Sequence, residues 1–317
     1  MGAVKGRAKV SAVIPTLGRS PLLLPCLEAL RRDGGEELEI LVVDQGESAL
    51  DLPPGLADRV LRPGRNLGFT GGTNAGIAAA AGDRIATVND DLIVEPGWLG
   101  TLAEALDWQP RAAAVQGVNL SLAEPGTVDG VGLAWNRAWQ AVQIGHGEPA
   151  PPTSPMAEPP REVFGVSATA ALYRREALEV VALPKRGIFD QRLGSYYEDA
   201  DLACRLRSAG WTAWSIPAAR AGHAGSTTGG SRPRERWASL YGNRLLVLAR
   251  LLGSAFWLRL PAVLARDLVD LLKALAGGDG ARVTGIVVGW ARALRLFSAF
   301  ARRGGPIVPM SQIERFR

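Results

Sequence analysis

Residues 10–44 read VSAVIPTLGRSPLLLPCLEALRRDGGEELEILVVD. The run 10–14 is apolar and β-branched, which predicts a buried strand. Ser20 can cap a helix, Pro21 suits its first turn, and Leu23, Leu24, Leu27 and Leu30 fall at helical spacing, so 20–32 reads as a helix. LEILVV at 38–43 is a second strand. The alternation continues outward. Residues 58–61 are a short strand, 73–81 an Ala-rich helix, 84–88 (RIATV) a strand, 98–108 a helix and 112–115 a strand. Strands alternating with helices predict an α/β fold, a parallel, doubly wound sheet with helices on both faces. Further on, 163–173 reads as a strand running into a helix, 198–209 as an amphipathic helix ended by Gly210, and 212–216 as a last strand. GHGEPAPPTSPMAEPP at 145–160 is a proline-rich loop. From 234 the pattern is helical to about 303, and no internal repeat is visible.

Composition sets the outer bounds. The 317 residues are 47% hydrophobic and 21% charged, enough for a core and unlike a disordered chain. Cys26 and Cys204 are the only cysteines, which excludes a disulfide scaffold and a cysteine zinc cluster. Two histidines leave little room for a His-rich metal site. The basic start, MGAVKGRAKV, runs straight into the first strand without the apolar stretch of a signal peptide, and Gly6 stands where a myristoylation signal wants Ser or Thr. A cytoplasmic chain is expected. Charge is unevenly placed. Residues 1–230 carry 21 Lys and Arg against 26 Asp and Glu, whereas 231–317 carry 15 against 5. The expected division is an acidic body, 1–230, and a basic helical extension, 231–317.

In a doubly wound sheet, ligands bind beyond the carboxyl ends of the strands. Three such ends are polar: Pro15-Thr16-Leu17-Gly18-Arg19, Asp44-Gln45-Gly46 and Asn89-Asp90-Asp91. Paired carboxylates at a strand end can hold a hard divalent cation that neutralises a diphosphate; they can equally form a solvated turn. Asp44 can accept from a ribose or base N–H, or simply make the turn before Gly46. Residues 66–76, NLGFTGGTNAG, form a glycine-rich entry to a helix without the GK[ST] of a P-loop or the GxGxxG of a dinucleotide site. Glycines there serve either an anionic ligand or close packing of helix on sheet. YYEDADL at 196–202 puts three carboxylates at a helix start, where the dipole favours them and a general base could also project. His223, in a glycine-rich segment past the last strand, suits a metal ligand. His146 reads as an exposed loop residue.

Taken together these stretches resemble the family 2 inverting glycosyltransferases of the GT-A fold, a mixed doubly wound sheet, over about residues 9–250. The carriers are IPTLGR, VVDQG, NLGFTGGTNAGI, NDD, FGVSATAALYRREAL, FDQRLGSYYEDADLACRLRSAGW, and GHAGS followed by YGNRLLVLAR. EDADLACRLRSAGW is the most specific, and the subgroup is that of the bacterial rhamnosyltransferase-like enzymes of cell-surface polysaccharide assembly. The resemblance implies that Thr16 and Asp44 hold the nucleoside with Arg19 near the phosphates, and that Asn66, Gly68 and Asn74 shape the donor pocket. It implies that Asp91 and His223 bind a divalent cation, Mg or Mn, with Asp90 nearby. The usual Asp-x-Asp or Asn-x-Asp is NDD here, which aligns Asp91 as the ligand. Asp199 would be the catalytic base and Glu198 its neighbour. The donor would be a nucleoside diphosphate sugar and the acceptor a glycan or polyprenyl-linked hydroxyl. Two other classes share features with this reading. A non-catalytic nucleotide-sugar-binding module would not need Asp91, Asp199 and His223 together. A nucleotidyltransferase would show a basic glycine-rich loop after the first strand, where PTLGR stands.

The tail is amphipathic. Arg259, Arg266, Asp270 and Lys273 share one helical face, and Arg292, Arg295 and Arg302 oppose Trp290, Leu294 and Phe297. No uncharged run reaches the ~18–20 residues of a bilayer span. The tail is therefore expected either to lie on an anionic membrane surface, the inner face of the plasma membrane, with Trp290, Leu294 and Phe297 inserted, or to pack on the body or on a second copy in a homo-oligomer. No nucleic-acid partner is expected.

Overall fold

A computed structural model describes residues 10–151, 158–225 and 233–317. The N-terminal basic stretch, the middle of the proline-rich loop and the 230/231 boundary lie outside the described residues. The strands are β1 (Val10–Thr16), β2 (Leu38–Asp44), β3 (Arg59–Leu61), β4 (Arg84–Val88), β5 (Leu92–Val94), β6 (Ala112–Ser121), β7 (Val128–Gly130), β8 (Leu133–Trp135), β9 (Ala141–Gln143), β10 (Arg161–Val163), β11 (Ala170–Arg174) and β12 (Thr212–His223). The helices are α1 (Leu23–Gly34), α2 (Gly68–Ala79), α3 (Trp98–Trp108), α4 (Arg175–Val180), α5 (Glu198–Ser208), α6 (Pro233–Leu252), α7 (Phe256–Ala276), α8 (Gly280–Phe300) and α9 (Met310–Arg315).

The main sheet runs β10-β12-β6-β11-β4-β1-β2-β3, with β5 and β7 paired to β12 and β6. Its β4-β1-β2-β3 half is parallel, as the alternation predicts. The other half is mixed, because β11 runs antiparallel to both β4 and β6. The stretch 163–173 is therefore not a strand running into a helix: it spans the end of β10 and most of β11, and the helix α4 begins only at Arg175. β10 sits at the sheet edge, and the chain then crosses to the centre beneath α5. Gly165 permits that crossing: a Cβ there would lie 2.4 Å from the Ala203 Cβ. β12 is also longer than 212–216. Pro217 offers no N–H to the ladder, and the register shifts between Ser215 and Arg220 before pairing with β6 resumes. That bulge carries the strand on to His223.

Strand alternation divides the core. Ala12, Ile14, Ile40 and Val42 pack on α1 and α3, while Val13, Val43 and Ile85 pack with residues of α2, α4 and α5. The α2 glycines serve the second contact. A Cβ on Gly76 would stand 2.2 Å from Val13 Cγ1, and one on Gly72 would stand 2.5 Å from Gln45 Nε2. Gly76→Ala is expected to lower stability by about 1–3 kcal/mol through overpacking, read from a shifted denaturant midpoint.

A third cluster joins body and tail. Trp135, Phe164, Leu193, Tyr197 and Cys204 share one apolar core with α6, α7, α8 and α9. The acids and arginines of the tail turn inward more than spacing alone suggests. Asp267 and Asp270 are buried; Asp267 pairs with buried Arg244 and accepts from Trp290 Nε1 at 3.1 Å, and Asp270 accepts from the Tyr241 hydroxyl at 3.1 Å. Trp290 is thus tied to the bundle, and Phe297 stacks on Phe256 and Trp257 at 5.5 and 5.3 Å; both are half-buried. The segment 233–276 and Gly280–Phe300 hold windows of mean hydropathy 1.5 and 1.3, long and apolar enough by composition to cross a bilayer, although over half of the first window is buried in the protein.

Candidate active site

The site is assembled where β1, β4, β5 and β12 end. β1 and β4 are neighbours, which brings the Thr16 hydroxyl to Asp90 Oδ2 at 2.5 Å. The same hydroxyl accepts the Gly18 N–H at 2.9 Å and shapes the turn after β1. Burial pushes the Asp90 carboxyl up to about 6; the Thr16 hydrogen bond opposes this and the Asp91 charge adds to it. β12 pairs His223 with Leu92 of β5 and so sets the imidazole beside Asp91, Nε2 to Oδ1 3.3 Å. His223 Nδ1 faces Asp129 Oδ2 at 3.0 Å. Burial pulls the His223 pKa down, but the bonds to Asp129 and Asp91 outweigh it and hold the ring at about 9.

Asp129 has no sequence signal; it lies in β7, and only the pairing of β7 with β6 brings it here. Among the described residues no three His, Cys, Asp or Glu side chains converge as a ready cage. Two do fit a cation. Octahedral ligands at about 2.1 Å stand about 3 Å apart, close to the Asp91–His223 separation, and an imidazole whose second nitrogen meets a carboxylate is the usual arrangement of a metal-ligating histidine.

The other candidate residues are spread around this centre. Asp44 is buried at the end of β2, and its oxygens accept the amides of Gly46 and Leu50 and the Arg62 Nε at 2.9 Å. Arg62 was not legible as a partner because nothing in its spacing marks it. Arg19 is exposed and faces Glu47 at 3.8 Å, a surface pair. Asn66 accepts the Gly68 N–H at 2.7 Å, an Asx turn that opens α2, and Gly68 has φ +72°, the left-handed region. Asn74 turns away from the strand ends. It binds the Phe189 carbonyl at 2.8 Å and accepts the Phe189 N–H at 3.0 Å, so it anchors the 186–189 turn to α2.

Asp199 and Glu198 open α5. Tyr196 and Tyr197, just before them, have φ of 68° and 69°, a conformation costing bulky residues about 1–3 kcal/mol each. The surroundings enforce it. The Asn243 amide of α6 donates to the carbonyls of Leu193, Ser195 and Tyr196 at 2.8–3.0 Å, and Arg292 of α8 caps the Asn243 oxygen. Asp199 Oδ1 accepts the Ala200 N–H at 2.7 Å. Burial lifts the Asp199 carboxyl to about 6, against hydrogen bonds from backbone amides and Ser167. Glu198 is pushed well higher by burial and then by the Asp199 charge, and its Oε2 has no hydrogen-bond partner among the described residues. Burial and mutual repulsion thus favour the proton on Glu198 and leave Asp199 the more acidic of the two.

The third acid of the run behaves differently. Asp201 is fully buried and pairs with Arg205, at 2.9 Å, and with Arg250. The two acidic centres are bridged through β4 and β11: Asn89 N–H donates to the Thr169 carbonyl at 2.9 Å, Thr169 and Ser167 hydroxyls meet at 3.1 Å, and Ser167 bonds Asp199.

A mixed sheet of this topology with a helical C-terminal region is that of the GT-A glycosyltransferases. The chain resembles GalNAc-T7 solved with UDP, GalNAc and Mn2+ (TM-score 0.59, 15% identity, 78% of this chain and 49% of that one). It also resembles S. aureus TarS 1-349 in complex with UDP-GlcNAc (TM-score 0.57, 14% identity, 92% and 84%). The chain belongs to glycosyl transferase family 2, whose domain matches residues 11–181. An N-acetylglucosaminyl-diphospho-decaprenol L-rhamnosyltransferase of Mycobacterium tuberculosis is 27% identical over 269 residues, 75% of this chain and 83% of that relative. An uncharacterized Sinorhizobium fredii protein is 27% identical over 231 residues, 67% of this chain, and the chain spans only 24% of that relative's length.

Proposed function

We propose that the protein transfers a sugar, rhamnose by analogy with the mycobacterial relative, from a nucleoside diphosphate to a hydroxyl of a polyprenyl-linked or glycan acceptor, with inversion. The observation that supports this reading is the bridge from Asn89 through Thr169 and Ser167 to Asp199, which ties the Asp199 carboxyl by hydrogen bonds to the segment that carries Asp90 and Asp91. Thr16 and Asp44 line the nucleoside side, with Arg19 towards the phosphates. Gly68 and the Asn66 turn shape the donor pocket, and Asn74 supports it from behind through the 186–189 turn.

Asp91 and His223 would hold a divalent cation, Mg or Mn, and such a cation neutralises a departing diphosphate. Asp129 keeps the His223 ring oriented, and Asp90 is fixed by Thr16 beside it. Asp199 accepts the proton of the acceptor hydroxyl, which attacks the anomeric carbon from the face opposite the diphosphate.

The reading is tested by incubating the protein with UDP-, GDP- and dTDP-sugars and a hydroxyl acceptor and determining the anomeric configuration of the product. Retention of configuration, or release of pyrophosphate in place of the nucleoside diphosphate, would reject it. Asp91→Asn is expected to remove the cation-dependent part of nucleotide binding while the fold persists. Thermal shift with UDP, with and without Mn2+, reads this directly, and an unchanged cation response would remove Asp91 from the metal role.

A further inference from the structure

Helix α7 is built the wrong way round for a helix that only covers a core. Its inward face carries Phe256, Val263, Asp267, Asp270 and Ala274. Its outward face carries Trp257, Leu264, Leu268, Leu272 and Leu275, which are 36–60% exposed. At 100° per residue these five lie within one stripe under a quarter of the helix circumference. α8 adds Val287 and Leu294, seven residues apart and 50% and 79% exposed. Contiguous exposed apolar surface of this kind marks an interaction site rather than ordinary scatter.

Charge identifies the partner. Leu258 and Val269, 80% and 43% exposed, widen the apolar arc. Beyond them Arg259, Arg266 and Lys273, spaced seven apart and all exposed, form one row about 160° from the centre of the leucine stripe, and Arg266 also pairs with Asp270 at 3.5 Å. Arg295, Arg302 and Arg303 are exposed as well. The two acids of α7 are turned inward onto Arg244 and Tyr241, so Asp279, at the α8 start, is the exposed acid from 256 to 303.

We propose that this face docks on an anionic lipid membrane surface, with α7 lying in the interface plane, its leucine stripe at the headgroup–acyl boundary and its cationic row on the lipid phosphates. An apolar arc edged by Arg and Lys is the pattern of an interfacial helix, and long cationic side chains reach sideways to headgroups while their stems stay apolar. A second copy of the chain is a poorer occupant. A two-fold contact through this stripe would leave the cationic row of each copy in solvent, with almost no exposed acid nearby to meet it. A spanning α7 would carry Arg259, Arg266, Asp267, Asp270 and Lys273 into hydrocarbon and open the buried Arg244–Asp267 pair. The proposal extends the sequence expectation of a membrane-facing tail but moves the inserting surface from Trp290 and Phe297 to the α7 stripe. It stands independently of the glycosyl-transfer reading, since docking needs neither donor nor acceptor.

Sedimentation of the full chain with phosphatidylcholine vesicles, with and without phosphatidylglycerol, tests it. At 0.1 M salt the bound fraction is expected to be at least about tenfold higher with the anionic lipid. It is expected to fall at 1 M salt, where the Debye length drops from about 10 Å to about 3 Å. Leu268→Glu with Leu272→Glu is expected to abolish binding at an unchanged unfolding temperature, because both sites are exposed. A second measurement does not depend on loss of function. Leu268→Cys labelled with an environment-sensitive fluorophore is expected to shift to the blue on anionic vesicles, whereas a label at Val180→Cys, exposed on α4, is not; the native cysteines are buried. Absent binding at low salt, equal binding to neutral vesicles, or an unshifted label at 268 would overturn the proposal. So would self-association that the double variant removes, or binding that resists both high salt and alkaline washing, the mark of a spanning helix.

Discussion

Asp199→Asn is expected to lower kcat by roughly 10²–10⁴-fold while nucleotide binding and unfolding temperature stay near those of the parent. The substitution keeps size and the hydrogen bond from Ala200 N–H but removes the only change the proposed reaction needs, acceptance of a proton. The parent itself supplies a matching pH profile. Burial lifts the Asp199 carboxyl to about 6, so the basic form is populated above that value and lost below it. The rate should therefore rise with pH up to about 6 and level off above it, and this limb should vanish in Asp199→Asn. Burial and the neighbouring charge push Glu198 up and so favour its protonated form, which spares Asp199 a second adjacent anion. Glu198→Gln should accordingly retain more activity than Asp199→Asn. A variant at 199 that loses nucleotide affinity but keeps kcat would place that residue in the donor pocket instead.

Legibility followed locality. The β1-α1-β2 unit was readable because the apolar periods of strand and helix change within a single short stretch, and the structure sets those elements within a few residues of their expected ends. Asp90, Asp91 and His223 were readable as a centre only through resemblance, since His223 lies 132 positions after Asp91 and the β12 bulge decides whether they meet. Residues whose roles exist only in three dimensions left no trace. Asp129 arrives through β7, Arg62 just past the end of β3, and Asn243 and Arg292 through helices that read simply as amphipathic. The tail was misleading for a physical reason. Helical spacing shows which residues share a face, but not which face turns inward, and buried ion pairs let α7 bury its acids and expose its leucines.

Arg250→Met is expected to destabilise the protein by about 3 kcal/mol, the low end of the range for removing one partner of a buried pair. Arg250, in α6, reaches two carboxylates from different elements: Asp190 Oδ2 at 2.8 Å, and Asp201 of α5. Both carboxylates are fully buried, and each keeps one arginine when Arg250 is gone, Arg192 for Asp190 and Arg205 for Asp201. The loss is then less than that of a wholly orphaned charge but far above the ±0.5 kcal/mol of a surface change such as Arg266→Met. Burial raises the Asp190 carboxyl, but Arg192 and Arg250 more than reverse this and hold it at about 2. A carboxyl depressed in the folded state contributes stability that is present above its unfolded value of about 4 and is lost as pH falls towards 2. In Arg250→Met that acid-sensitive part should shrink, so the difference from the parent should narrow as pH drops from 5 to 2. Denaturant melts at several pH values read both the size and its pH dependence. Because Asp201 lies two residues from Asp199, the same variant should also lower kcat by more than its stability loss explains, whereas Arg250→Lys, which keeps the charge but not the fork, should fall between parent and Met. A loss below 1 kcal/mol that is flat with pH would mean that α6 is docked on α5 by apolar contact alone.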